Sequence, residues 1–106
     1  MFCVGAKIAF SDGRQAAAKS AEDMAKIFGM DVTITGMVCH ADSHTLIIQT
    51  SEDGFLVGYR NLDLKEALAA KVSNLDTAKT IALHFMETGE RPSDLNWQKI
   101  EWVDRV

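Results

Sequence analysis

Cys39, His40 and His44 stand close together, and a thiolate with two imidazoles is a usable start to a zinc site. Their spacing fits no common zinc pattern, and a fourth ligand would have to come from Cys3, Asp42 or His84, so no metal is expected. With Ser43 the same residues supply the ingredients of nucleophilic catalysis, which needs Cys or Ser beside a His oriented by a carboxylate. Nothing in their order assembles such a set, and His84, between Leu83 and Phe85, reads as a partly exposed helical residue. Glu52 and Asp53 are neighbouring carboxylates of the kind used in general acid and base chemistry, but they lead into Gly54, and acids in a turn are ordinarily solvated. Gly5, Gly13, Gly54 and Gly58 form no glycine-rich loop opening a helix, which leaves no nucleotide fingerprint and no expected cofactor. Lys65, Lys71 and Lys79 are dispersed and Tyr59 is the only tyrosine, so direct nucleic-acid binding is not expected either.

The elements that must position these residues follow from periodicity and turn chemistry. Residues 2–10 read as a strand ended by Ser11-Asp12-Gly13. Ala17, Ala21, Met24 and Phe28 recur at helical spacing and predict a helix over 14–28 closed by Gly29. Ser11 or Asp12 could cap it, and Ser20 with Asp23 is a second capping pattern. Over 31–40, Val32, Ile34, Gly36 and Val38 alternate with Thr33, Thr35, Met37 and Cys39, the period of a strand, with Gly36 a candidate bulge. A link at 41–43, the apolar Leu46-Ile47-Ile48, the Asp53-Gly54 turn and residues 55–59 complete a three-stranded antiparallel meander.

Asp63 with Glu66 predicts the start of a short helix carrying Leu64, Ala67, Leu68 and Val72, interrupted at Ser73-Asn74. A second helix over 75–88 places Leu75, Ala78, Ile81, Ala82 and Phe85 on one side and stops at Gly89 and Pro92. Leu95, Trp97, Ile100 and Trp102 in the tail suggest an edge strand with a bulge, or a strand followed by a packed irregular tail. The expected fold is α+β, an antiparallel sheet of about four to five strands packed against two to three helices, in one domain over residues 1–106.

Composition is that of an ordinary acidic domain: 106 residues, 47% apolar, one proline and a net charge of −4. No stretch approaches the ~20 apolar residues of a membrane helix, and residues 1–10 lack the basic start of a secretory signal. A cytoplasmic protein with reduced thiols, and no membrane partner, is the expectation. Charge is uneven, because no Lys or Arg falls between Lys26 and Arg60 while Asp31, Asp42, Glu52 and Asp53 do.

The C-terminal stretch is the most distinctive. A helix carrying Phe85 runs through Thr88, Gly89, Arg91 and Pro92 and is followed by Trp97 and Gln98. This aromatic, Thr-Gly-x-Arg-Pro, Trp-polar order resembles the closing motif of a family of bacterial immunity proteins from polymorphic-toxin and contact-dependent inhibition systems, the first of the numbered immunity families. The helix, the strands and the Asp-Gly hairpin before Phe55-Leu56-Val57 follow the same order, although the stretch between Tyr59 and Leu75 is shorter than the family implies. The resemblance implies a non-enzymatic antidote that binds the C-terminal toxin domain of a cognate partner, including nucleic-acid-directed toxins such as deaminases and nucleases. Under that reading the motif residues are scaffold. The basic-free stretch becomes a candidate toxin-binding surface, with Asp42, Glu52 and Asp53 supplying charge and His44, Phe55 and Tyr59 supplying shape if exposed. A small acidic adaptor or inhibitor of mobile-element origin, and a small enzyme or ligand-binding domain using Cys39, His40 and His44, are the alternatives.

Overall fold

The structure, a computed structural model, describes residues 4–30, 33–93 and 95–100. Its elements in chain order are β1 (Val4–Phe10), β2 (Gln15–Ala18), α1 (Ala21–Phe28), β3 (Ile34–Ala41), β4 (His44–Ser51), β5 (Gly54–Asn61), β6 (Glu66–Val72), α2 (Leu75–Thr88) and β7 (Gln98–Lys99). They form an α+β fold with one antiparallel sheet of seven strands, order β2-β1-β3-β4-β5-β6-β7, and two helices. Both helices have their partners on the same side of the sheet, α2 across β3 to β6 and α1 against β2 and α2.

Strand alternation divides the sheet into a covered and an open face. Ile8, Met37, Ile48, Val57 and Ala70 align in one buried row, and Ala6, Cys39, Leu46, Tyr59 and Leu68 in the next. Lys7, Val38, Ile47, Gly58 and Ala69 take the opposite parity and form the open face. At the start of β3, Ala9 pairs with Gly36 but Phe10 pairs with Ile34, so Thr35 is the extra residue of a bulge. The bulge resets the phase, which is why Ile34 and Met37 are both buried although three positions apart. The expected alternation is therefore correct in kind, with the irregularity beside Gly36.

Above the rows lies α2, which buries Ala78, Ile81, Ala82, Phe85 and Met86 at helical spacing. Asn74 caps it by accepting from the Thr77 N–H at 2.8 Å, and Gly89 ends it at φ 74, a left-handed conformation that glycine adopts without Cβ strain. Phe85 is fully buried, and burial of a side chain of that size stabilises by ~3 kcal/mol.

Three expectations are corrected. The helix expected over 14–28 begins only at Ala21, because Gln15–Ala18 pairs with β1 and Ser20 takes the capping role, accepting from the Asp23 N–H. A run of three alanines favours helix intrinsically, but main-chain pairing and burial of Ala18 override that preference. The helix expected from Asp63 is instead a turn followed by β6, whose Ala and Leu residues alternate against β5. The sheet is accordingly larger than the four to five strands expected, and the tail contributes only the two-residue β7, with Trp102 outside the described residues.

Gly54 opens β5 at φ 138, and a Cβ there would lie 2.3 Å from the Val72 carbonyl oxygen. Gly13 also has positive φ, at 90, but nothing stands within 4 Å of a Cβ. Gly54→Ala should therefore lower unfolding free energy by about 3 kcal/mol or more and Gly13→Ala by about 1 kcal/mol, measured by chemical denaturation. Cys39 lies fully buried between strands, and burial pushes its thiol up to about 12. The folded state thus holds this proton through a range in which the unfolded state loses it, from about 9 upward, and stability should fall by a few kcal/mol as pH rises from about 9 to 12. In a Cys3→Ser background the native thiol should resist alkylation at pH 8 until the chain is unfolded.

Candidate functional site

Tyr59 sits in the second buried row with only 4% of its surface exposed, and its hydroxyl needs a partner there. Asn61, two residues along the same face of β5, donates from Nδ2 to the Tyr59 oxygen at 3.5 Å. The hydroxyl also shares a hydrogen bond with Nδ1 of His44. Burial raises the Tyr59 pKa, while the Asn61 hydrogen bond acts in the opposite direction.

The C-terminal motif closes over this ring. Phe85 meets it edge-on, with centroids 6.4 Å apart, and Trp97 lies at 6.2 Å. The Arg91 guanidinium carbon lies over both aromatic rings, 5.6 Å from Tyr59 and 5.5 Å from Trp97. Trp97 donates from Nε1 to the Pro92 carbonyl at 2.7 Å, which folds the tail back on the turn. Thr88 donates to the His84 carbonyl at 2.8 Å and accepts from the Glu90 N–H at 3.1 Å, and Gly89 supplies the left-handed residue between them. Gln98 pairs with Ala69 in the sheet. Every residue of the motif, Phe85, Thr88, Gly89, Arg91, Pro92, Trp97 and Gln98, has a local structural use.

Of the six candidate surface residues, the structure brings together Asp42, His44 and Tyr59. Asp42 forms the β3–β4 turn at φ 54, and His44 opens β4 half-buried over Tyr59 at a ring-centroid distance of 5.8 Å. Glu52 and Asp53 lie at the far end of the β4–β5 hairpin, ~25 Å from His44 by strand rise, and Phe55 stands four residues, ~13 Å, along β5 from Tyr59. Glu52 and Asp53 are exposed, but Phe55 packs against the core. Tyr59 does not meet the condition of exposure set for it and serves as an internal support. Cys39 and His40, as successive strand residues, point to opposite faces, Cys39 buried and His40 exposed, so the Cys39, His40 and His44 trio does not converge. Among the described residues no group of three His, Cys, Asp or Glu could hold a metal ion.

Sequence reading missed Leu62 and Leu64, which the structure places in the β5–β6 turn beside Asp42. Leu64 counted toward the apolar side of the expected helix, and the signal that could have placed it is the polar pair Asn61 and Asp63, whose types favour turns. Asp63 caps no helix; its Oδ2 accepts from the Ser43 hydroxyl at 2.6 Å, joining this turn to the β3–β4 turn.

Comparison of the chain with family models, with curated proteins and with solved structures finds no match to any of them. No helix among the described residues is long and apolar enough to cross a membrane.

Trp97→Phe keeps most of the apolar contact but leaves the Pro92 carbonyl without its donor. The variant should lose about 1 kcal/mol of unfolding free energy. Arg91→Ala, which removes the cation from both rings, should lose a similar ~1 kcal/mol in the same denaturation assay.

Proposed function

We propose that this chain is a non-enzymatic immunity protein that binds the C-terminal toxin domain of a cognate partner and occludes its active site or substrate surface. The supporting observation is the use of the C-terminal motif. Phe85, Arg91 and Trp97 gather around Tyr59, Thr88, Gly89 and Pro92 shape the turn between α2 and the tail, and Gln98 pairs with β6, uses that suit a scaffold signature. What the scaffold presents to solvent at the ends of the meander is acidic, Asp42 and Asp63 at one end and Glu52 and Asp53 at the other. Toxins that act on nucleic acids carry basic, concave substrate surfaces, and carboxylates on projecting turns can steer encounter and exclude a phosphate chain.

A small acidic adaptor of mobile-element origin would use the same body against an unrelated target. The reading based on Cys39, His40 and His44 draws no support from the strand phase, which places His40 on the opposite face from Cys39 and His44.

The deciding experiment takes the toxin domain encoded immediately upstream. The purified chain should form a stable complex with it and abolish its activity at a one-to-one ratio. Its association rate should fall several-fold as salt is raised from about 0.01 M to about 0.15 M, because charge steering is screened. A fully active toxin in the presence of excess chain would overturn the immunity reading.

A further inference from the structure

Two leucines project from the end of the sheet at which Asp42 lies. Leu62 is 56% exposed and Leu64 70%, the two most exposed large apolar residues described. Their turn is held firmly. The Asn61 side-chain oxygen, 7% exposed as a residue, accepts from the Asp63 N–H at 3.0 Å and the Leu64 N–H at 3.3 Å. Leu62 donates its N–H to the Ser43 carbonyl at 3.0 Å, and the Ser43 hydroxyl donates to Asp63. The adjacent turns therefore form one braced unit, and through Asn61 it is anchored to the Tyr59 hydroxyl. Among the described residues neither leucine packs against the core, and more than half of each is exposed.

We infer that the β3–β4 and β5–β6 turns form a preorganised wedge, with Leu62 and Leu64 as its apolar tip, that inserts into a basic-rimmed apolar cleft of a partner protein. The charge around the tip decides the partner. Among the described residues Asp42, Asp63 and Glu66 stand around it with Lys65, and Arg60 lies two residues before Leu62 on β5, a net negative balance that suits a basic rim better than a second copy of the same end or an anionic lipid surface. The far hairpin offers Glu52 and Asp53 without any comparably exposed apolar residue, and an interface needs a desolvated apolar centre as well as a charged rim. Because the turn is already ordered, little freedom is lost on insertion.

The inference rests on the immunity reading for its partner, and the test separates the two. Leu62→Ser, Leu64→Ser and the double variant are titrated against the upstream toxin domain, beside Leu56→Ser on the open face and Glu52→Lys with Asp53→Lys at the far hairpin. Each wedge substitution should weaken binding about tenfold or more with the melting temperature unchanged, since both side chains are largely in water, while the Leu56 and far-hairpin variants bind within about twofold of the unmodified chain. Tight binding by the double serine variant overturns the wedge and leaves the immunity reading standing. No binding by the unmodified chain overturns both. Self-association of the chain alone, or binding to phosphatidylglycerol vesicles, that disappears in the double variant would overturn the wedge by giving the leucines a different occupant.

Discussion

A tyrosine hydroxyl buried beneath a helix is costly unless each of its bonding positions is filled, and at Tyr59 the filling groups come from across the chain. Asn61 reaches it along β5, His44 from the neighbouring strand, and the ring receives Phe85 from α2 and Arg91 and Trp97 from the tail. The same Asn61 spends its other side-chain atom on the β5–β6 turn. One polar atom in the core thus links the register of β4 and β5, the end of the long helix, the path of the tail and the shape of the outermost turn. Removing a partner would leave a buried polar group unpaired, so these features are expected to loosen together.

Much of this was legible in residue types. The boundaries of α2 follow from Asn74, from the spacing of Ala78, Ile81, Ala82 and Phe85, and from Gly89, and the structure matches them. The β3–β4–β5 meander was equally legible, because residues 31–40 alternate, the apolar Leu46-Ile47-Ile48 follows and Asp53-Gly54 marks the turn. What misled were the alanine-rich segments. In Gln15–Ala18 and Glu66–Val72 the local preference is helical, and only a neighbouring strand in need of a main-chain partner makes them extended. Such information is non-local and is not carried by spacing.

The site was legible in part for a related reason. Charge on turns can be read from sequence, and Asp42, Glu52 and Asp53 are exposed where turns were expected. Aromatic shape cannot be assigned inward or outward without strand phase, and Tyr59 and Phe55 both face the helices. Mistaking β6 for a helix also concealed the turn before it, and with it Leu62 and Leu64.

The two ends of the strand order carry a separate consequence. The sheet closes on one side with the four-residue β2 and on the other with the two-residue β7, while the strands between them run to seven or eight residues. Beyond the reach of β7, β6 displays the exposed Lys71. Brief margins, with Lys71 and Lys99 on the β6–β7 side, give an incoming strand little to pair with, so edge-to-edge growth of the sheet into fibres is disfavoured. A binding partner meets the same obstacle. Among the described residues it finds only these short margins on which to lay a strand, which favours recognition through side chains and turns.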